Sequence, residues 1–485
     1  MPASRPWRAR SSGDPRPPNI LLLVFDAFSA HHVPLYGYPL PTTPHLGRFA
    51  HRATVFHSHY SAGSFTTPGT ASLLTGTYPW SHRAVNLQGT VLDEFRDRNL
   101  FRLLGDQGYY RLAFSHNLVV LSLLDQFRRD IDAVTLTREL CLQDPYVSEL
   151  LFGRDFTPAV QAESLLRRRG SSSSSLFLYE AYRLWMTYLD RRRYVQVADR
   201  FPRGLPTLQD QVFLLEDAID WTIGRLQAMP QPFFAYLHFL PPHDPYNARK
   251  DFVGRFAGPR PVPAKPVHAF ATGETPEWIA NASREYDEYI GYADAEFGRL
   301  LDFMDAAGFL DTTYVVVTSD HGELFERGIW GHLSQALFEP LIRVPLVVSS
   351  PGRQTRRDVH RTTSSVDVLP TLLQVAGIPR PDWCEGERLP LGADEAGSSD
   401  RAVYAMDAKG SSKFGPLRKR TVSVIRDRYK LIHYLGYDEY DDVYELYDLR
   451  DDPHELRNLY SPGRGPASDL KALLHAQLRH LEARA

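Results

Sequence analysis

Four polar clusters punctuate the sequence, and their residue types suit metal chemistry. The clusters are Asp26, the loop around Thr66, His243 with Asp244, and Asp320 with His321. Two carboxylates and an imidazole together can bind a divalent cation of hard to borderline character. Because a single Asp or His after a strand is commonly a turn or cap residue, the prediction of a metal site rests on the combination.

The stretch SFTTPGTASLLTGTYP, residues 64–79, is typical of a loop that runs into a helix. Proline is tolerated in a first helical turn, so Pro68 predicts a helix that begins close to Thr66. A helix N-terminus favours negative charge, and a bound dication can lower the pKa of a hydroxyl enough to form an alkoxide. These residues alone favour Thr66 as a helix N-cap and leave a nucleophile as the alternative.

Buried strands are the elements that must position these clusters. The apolar run Asn19–Phe25 stops at Asp26, and similar runs occur at 233–239, before Asp320, and in RVPLVVSS. The stretch REYDEYIGYADAEFGRLLDFMDAAG has helical periodicity and ends at a glycine. This alternation predicts an α/β fold with a doubly wound, mostly parallel sheet. Ligands of such sheets bind outside the carboxyl ends of the strands, where the polar clusters fall.

The composition is that of a globular protein with no general electrostatic affinity for nucleic acid or membranes. The 485 residues are 43% hydrophobic and 23% charged, with a net charge of −3. Cys141 and Cys384 give neither a disulfide framework nor metal spacing, and both are predicted to be buried thiols. Without a stretch of about 18 apolar residues or a signal-like segment, we expect no membrane span and a cytoplasmic location.

Three segments differ from the rest of the chain. Residues 1–18 are rich in Pro, Arg and Ser and are predicted to be a disordered lead-in. Residues 118–211 are helix-prone, with basic triplets at 167–169 and 191–193 beside a serine run, and are predicted to form an inserted helical subdomain. The arginines there are either solvated or part of a cap that binds an anionic substrate. Residues 391–485 predict a small C-terminal α+β subdomain. Nothing in the sequence indicates the oligomeric state.

Several segments together resemble the sulfatase family of the alkaline phosphatase superfamily. The nucleophile loop of that family reads Cys-x-Pro-x-Arg-Ala-Ser-Leu-Leu-Thr-Gly, and residues 66–76 follow it in register. The opening PNILLLVFDAF, the segment YLHFLPPHDPY and the segment TYVVVTSDHGE also match, and the resemblance covers roughly 19–117, 215–380 and 400–460. It implies an alkaline-phosphatase-like sandwich with a large, mostly parallel mixed sheet, in which residues 19–390 form the catalytic domain.

Three positions depart from the sulfatase pattern. Thr66 replaces the cysteine that sulfatases oxidise to formylglycine, Thr70 replaces the motif arginine, and Ala27 stands where sulfatases carry a second aspartate. The resemblance is therefore greater to the threonine-using branch of the superfamily, which includes phosphonate monoester and phosphodiester hydrolases. It implies one divalent metal held by Asp26, Thr66, Asp320 and His321, with a second metal left open. A histidine ligand favours Mn²⁺ or Zn²⁺ over Ca²⁺ or Mg²⁺.

The same resemblance implies further roles in catalysis and substrate binding. His243 would protonate the leaving group and His332 would stabilise charge, while His116, His238 and Thr70 would contact substrate; for His116, a structural hydrogen bond is the alternative. The expected reaction is hydrolysis of a small or extended anionic phosphoester through a phospho-threonine intermediate. The alternatives are a sulfuric ester hydrolase, a phosphotransferase with an alcohol acceptor, and an inactive sulfatase-like binding protein.

Overall fold

The computed structural model describes most of the chain outside the predicted insertion. The described residues are 17–135, 140, 195, 197–208, 211–258, 263, 265–392, 401–438, 440–463 and 465–482. Residues 1–16 of the predicted lead-in, Cys141, and the serine run with both arginine triplets lie outside this part. Cys384 is buried, as predicted.

The described part of the chain contains the following strands and helices, in chain order. The strands are β1 (Asn19–Phe25), β2 (Thr54–Phe56), β3 (His59–Tyr60), β4 (Tyr110–Ser115), β5 (Ala133–Thr135), β6 (Thr207–Leu208), β7 (Gln211–Val212), β8 (Phe233–Phe239), β9 (Thr313–Thr318), β10 (Leu324–Glu326), β11 (Ile329–Gly331), β12 (Leu346–Ser349), β13 (Arg357–Val359), β14 (Thr363–Ser364), β15 (Ala402–Asp407), β16 (Arg420–Arg426), β17 (Tyr429–Leu435) and β18 (Val443–Asp448). The helices are α1 (Pro44–Ala50), α2 (Thr66–Thr75), α3 (Pro79–His82), α4 (Leu100–Gly105), α5 (Leu118–Gln126), α6 (Leu215–Ala228), α7 (Pro276–Ala306), α8 (Glu339–Ile342), α9 (Val368–Val375) and α10 (Pro466–Glu482). No helix among the described residues combines the length and the apolar character that crossing a membrane requires.

An eight-stranded mixed sheet forms the centre of the molecule, in the order β13-β2-β12-β9-β1-β8-β4-β5. The strands β9, β1, β8, β4 and β5 run parallel, and β12 is antiparallel to both of its neighbours. The mostly parallel sheet predicted from the apolar runs is confirmed.

The central strands are apolar throughout because both faces of the sheet are covered. Alternate residues of β1 belong to two separate cores: Leu21 and Leu23 pack in the core that contains α7, and Ile20 and Leu22 pack in the core that contains parts of α2, α5 and α9. The structure is therefore a three-layer α/β sandwich.

A second, four-stranded antiparallel sheet, β15-β16-β17-β18, follows the main sheet in the chain. The final helix α10 packs on it through Leu470 and Leu474. This α+β unit falls in the range predicted for the C-terminal subdomain. Within the range predicted for the insertion, α5 and β5 join the main core and main sheet, and residues 141–194 lie outside the described residues.

Candidate active site

Three parallel strands bring the predicted metal residues to one edge of the main sheet. Val24, near the end of β1, lies between His238 of β8 and Thr318 of β9. Because the strands share this register, the residues just beyond them, Asp26 and Asp320, come together at their carboxyl ends.

Asp26, His238 and Asp320 form a fully buried cluster at this edge. The Nε2 atom of His238 lies 3.1 Å from Oδ2 of Asp26 and 3.8 Å from Oδ2 of Asp320. One ligand atom from each residue lies within 4.8 Å of the others, a spacing that a single metal ion could bridge. The sequence predicted a substrate contact for His238, whereas the structure places its ring between the carboxylates, because β8 runs directly beside β1.

Thr66 and His321 complete this cluster. Oγ1 of Thr66 lies 3.3 Å from Nε2 of His321, which is also 3.3 Å from Oδ1 of Asp26. The Nδ1 atom of His321 lies 2.8 Å from the Gly322 carbonyl oxygen and must donate to it, so the lone pair of Nε2 faces Thr66 and the carboxylates in the neutral ring. The N-cap of α2 is Phe65, and no side chain caps this helix. The interpretation of Thr66 as an N-cap is therefore wrong.

The charge distribution of the cluster fits a divalent cation. Oδ1 of Asp26 and Oδ2 of Asp320 are buried without a hydrogen-bond partner among the described residues. Burial and the charge of Asp26 raise the pKa of Asp320. Burial would also raise the pKa of Asp26, but His243, His238 and His321 outweigh it and hold that pKa well below the usual range. The donor set, with two carboxylates, two imidazoles and a hydroxyl, matches the ligands of Mn²⁺ and Zn²⁺.

Asn117 is a site residue that sequence reasoning missed. Its Nδ2 donates to Oδ2 of Asp26 at 2.6 Å and lies 3.5 Å from Oγ1 of Thr66. Its Oδ1 accepts from the backbone N–H of Val119 and caps α5. One side chain thus fixes the start of α5 and steadies Asp26 beside Thr66. The signal in the sequence was a polar residue two positions after the strand β4, directly before the apolar run of α5.

His243 and His332, for which the sequence predicts roles in catalysis, lie next to this cluster. The ring centroid of His332 is 4.5 Å from that of His321 and 4.7 Å from that of His243. Nδ1 of His243 lies 2.6 Å from the carbonyl oxygen of Asp244, and Nδ1 of His332 lies 3.0 Å from Oε1 of Glu323. In both rings Nε2 is left to meet a ligand. His243, Asp244 and His332 also form a second group that could hold a metal ion.

The environments of these two histidines favour different protonation states. Burial would lower the pKa of His243, but the carboxylates of Asp244, Asp26 and Glu323 outweigh it and raise that pKa. Burial and the neighbouring imidazoles lower the pKa of His332 well below its usual value. Burial, followed by the charge of Asp244, raises the pKa of Glu323 to about 8. The two environments therefore differ: that of His243 favours the protonated ring, and that of His332 favours the neutral ring.

His116 and Thr70 are buried near the cluster. The His116 ring stacks on Phe213 at 4.1 Å and meets Phe114 edge-on at 4.8 Å. Neither of its ring nitrogens has a hydrogen-bond partner among the described residues, and burial lowers its pKa to about 3. Thr70 lies one turn along α2 from Thr66 and is fully buried. Substrate contacts of both residues stay predictions.

Close backbone packing fixes α2 against the strand end of β9. A Cβ atom at Gly69 would lie 2.2 Å from the Asp320 carbonyl oxygen. That same oxygen accepts a hydrogen bond from the Ser61 hydroxyl. Only a glycine lets the first turn of α2, and with it Thr66, approach Asp320 this closely.

Comparison with known proteins places this site in a family. The family model described as Sulfatase matches residues 18–378. The chain belongs to the sulfatase family. A second model, described as N-sulphoglucosamine sulphohydrolase, C-terminal, matches residues 328–484. The chain is thus a sulfatase-family hydrolase that acts on ester bonds, and the resemblance seen in its motifs is confirmed.

The relatives and solved structures similar to this chain span different ester chemistries. A choline-sulfatase of Rhizobium meliloti (strain 1021) is 25% identical over 480 residues, covering 93% of this chain and 83% of that protein. A multifunctional alkaline phosphatase superfamily protein of Trinickia caryophylli is 25% identical over 494 residues, covering 91% of each. The structure of the phosphonate monoester hydrolase of Agrobacterium radiobacter aligns with a TM-score of 0.68 at 20% identity, covering 96% of both chains. This last likeness confirms the alkaline-phosphatase-like fold.

Proposed function

We propose that the protein is a metal-dependent phosphoester hydrolase that uses Thr66 as its nucleophile. Its substrates would be phosphodiesters or phosphonate monoesters, as small or extended anionic esters. The observation that carries the proposal is the position of the Thr66 hydroxyl. It lies at the positive end of α2, within 3.5 Å of both His321 and Asn117, and it caps no helix.

Asp26, Asp320, His321 and Thr66 would hold the metal ion, with His238 as an additional donor from the structure. When bound, a Mn²⁺ or Zn²⁺ ion lowers the pKa of the hydroxyl and polarises the ester. Oδ1 of Asp26 and Oδ2 of Asp320, which are buried and find no hydrogen-bond partner in the described part of the chain, support this assignment. Asn117 would keep Asp26 in place during the reaction.

The side chains of the site support a two-step transfer. Thr66 would lose its hydroxyl proton to solvent before the reaction, so that Oγ1 attacks phosphorus in line as the alkoxide. The bond from phosphorus to the leaving oxygen breaks, and Nε2 of His243 gives that oxygen its proton. Water then attacks the phospho-threonine, its proton passes to the now neutral His243, and the Thr66 oxygen leaves. The raised pKa of His243 supports its role as the acid of the first step. His332, neutral and close to His321, would donate a hydrogen bond from Nε2–H to a phosphoryl oxygen while its Nδ1 accepts from the protonated carboxyl of Glu323, whose pKa is raised to about 8.

The residue types at two positions favour phosphorus over sulfur. Oxidation of Thr66 would give a ketone, so the hydrated formylglycine of sulfatases cannot form at this position. Ala27 replaces an aspartate of the sulfatase calcium site, which leaves a smaller and more nitrogen-rich donor set. The similarity to proteins named as phosphonate monoester hydrolases and as a multifunctional alkaline phosphatase superfamily protein supports the same choice.

The experiment that tests this function compares Thr66→Ala with Thr67→Ala, a matched control because Thr67 is the adjacent buried threonine. Both variants and the wild type, reconstituted with Mn²⁺ or Zn²⁺, are assayed on bis-(p-nitrophenyl) phosphate, p-nitrophenyl phenylphosphonate, p-nitrophenyl phosphate and p-nitrophenyl sulfate. We expect a preference for the diester or the phosphonate, and a loss in kcat of at least about 100-fold in Thr66→Ala alone. Activity confined to the sulfate would overturn the phosphoester assignment. Equal rates in wild type and Thr66→Ala would exclude the threonine nucleophile.

A further inference from the structure

A polar cavity of about 350 Å³ lies where the C-terminal sheet meets the catalytic domain. We call it the lysine pocket and define it by Asn86, Gln335, Asp407, Lys409, Lys419 and Tyr437. These residues come from four separate stretches of chain: the segment after α3, the loop that follows His332, the β15–β16 region, and the segment after β17. The pocket therefore exists only because the C-terminal sheet packs against the catalytic domain.

The lysine pocket lies beside segments of the candidate active site, as two contacts of Lys409 show. The Lys409 ammonium lies 5.5 Å from the centroid of the Phe65 ring, and Phe65 directly precedes Thr66. The same ammonium donates to the Ser334 carbonyl oxygen at 2.8 Å, two residues beyond His332. The Lys409 end of the pocket therefore borders the two chain segments that carry Thr66 and His332.

The pocket carries an uncompensated positive charge. Lys409 is neutralised by Asp407 at 2.7 Å, and Asp407 is in turn held by the Ser64 hydroxyl at 2.8 Å. Lys419 differs, because its ammonium has no hydrogen-bond or ion-pair partner among the described residues and lies 5.3 Å from the centroid of the Tyr437 ring. The aromatic face holds the lysine side chain over the cavity without taking up its hydrogen-bond donors.

We propose that the lysine pocket binds a second anionic group of the substrate, carried on the organic part beyond the scissile ester. This inference rests on the proposed function, since it assigns the far end of the same substrate. Lys419 supplies the charge, and the Gln335 amide adds a hydrogen-bond donor on the lining. The preferred substrate is thus an ester that bears a further carboxylate or acidic ester group, and the C-terminal sheet selects for it.

Binding measured without turnover tests this pocket separately from the nucleophile. The two probes are phenylphosphonate and 4-carboxyphenylphosphonate, which share one phosphonate and differ by a single carboxylate. Their affinities are measured by titration calorimetry with the Mn²⁺-loaded full chain, as wild type and as Lys419→Met. Lys471→Met is the matched control, because Lys471 also lies over a tyrosine ring, at 4.1 Å from Tyr444, but on α10.

We expect wild type and Lys471→Met to bind the carboxylated probe about tenfold more tightly than phenylphosphonate, as one charge-assisted hydrogen bond provides. Lys419→Met should lose this preference and keep its affinity for phenylphosphonate. Gln335→Glu, which adds a negative charge to the lining, should reverse the preference. Equal affinities in wild type, a preference retained in Lys419→Met, or no binding of either probe would overturn the proposal. If the preference is seen and no ester is hydrolysed, the pocket stands and the proposed function falls.

Discussion

Replacing Lys430 with methionine should destabilise the protein through a buried charge network that joins the C-terminal sheet to the helix α8. The Lys430 ammonium is fully buried and lies 3.1 Å from Glu339 on α8 and 2.8 Å from Glu455 beyond β18. Glu455 also accepts the backbone N–H of Glu339 at 2.8 Å. Both carboxylates are buried, so neither can turn to water when the ammonium is removed.

The expected loss of stability follows from the proton that the variant must take up. With no cation between the two carboxylates, one of them has to be neutral in the folded state. Protonating a glutamate with an unfolded pKa of about 4.3 costs about 3.7 kcal/mol at pH 7 and about 1.6 kcal/mol at pH 5.5. The first figure agrees with the cost of about 3–5 kcal/mol for breaking a buried ion pair by removing one partner.

This reasoning predicts a pH dependence with a definite sign. The folded variant holds one proton more than the unfolded chain, so its free energy of unfolding falls as the pH rises from about 4.3 towards the raised folded pKa. Urea unfolding of wild type and Lys430→Met at pH 5.5 and 7.0, followed by tryptophan fluorescence, measures both costs. Lys430→Met combined with Glu455→Gln should regain most of the loss, because the glutamine oxygen still accepts the Glu339 N–H. A loss at pH 7 below about 1 kcal/mol, or an equal loss at both pH values, would refute the argument.

Three further perturbations test other parts of the fold and site. His82 is buried, its Nδ1 accepts from the Ala84 N–H, and burial lowers its pKa to about 3. Between pH 7.5 and 5 this histidine takes up a proton in the unfolded chain but not in the folded one. The free energy of unfolding should therefore fall by about 2 kcal/mol over that range. His82→Asn keeps an acceptor for that N–H and should remove this part of the pH dependence in urea unfolding; an unchanged slope would contradict the assignment. Gly69→Ala should lower stability by about 1–3 kcal/mol and reduce ester hydrolysis, whereas Gly224→Ala, in an open position of α6, should be neutral or stabilising. Mn²⁺ or Zn²⁺ at about 1,000 times its Kd should stabilise the chelator-treated wild type by about 4 kcal/mol, and Asp320→Asn should abolish that gain, both read from thermal unfolding.

The strand ends were predictable from the sequence because each is marked by a local pattern. The run before Asp26 and the run before Asp320 are continuously apolar, and parallel strands of that kind place their carboxyl ends at one edge. The positions of Thr66 and His243 followed from the motif register of the family. Each of these signals lies within about ten consecutive residues of the chain.

The features of the site that sequence reasoning did not predict depend on contacts between distant segments. His238 stands inside an apolar strand, and its position beside Asp26 follows only from the pairing of β8 with β1. Asn117 caps a helix and also reaches Asp26, and only the first of these roles has a local pattern. Glu323 was not singled out, because its partner His332 lies beyond the β10–β11 hairpin. Such contacts can be predicted only when the pairing register of the whole sheet is known.

The position of His238 adds a second nitrogen donor to the candidate metal site, which affects the metal ion that the site would prefer. The sequence offered one imidazole, on His321, whereas the structure brings a second to within 3.8 Å of both carboxylates. Nδ1 of His238 lies 2.8 Å from the Tyr236 hydroxyl oxygen, which can accept a hydrogen bond from Nδ1–H and leave Nε2 to bind a cation. Two nitrogen donors shift preference from Mg²⁺ and Ca²⁺ towards Zn²⁺ and Mn²⁺. His238→Asn should therefore weaken Zn²⁺ binding by about 10–100-fold in competition titrations while changing Mg²⁺ affinity much less, because an amide oxygen replaces the nitrogen. An equal loss for both ions would mean that His238 only orients Asp26 and does not itself contact the metal.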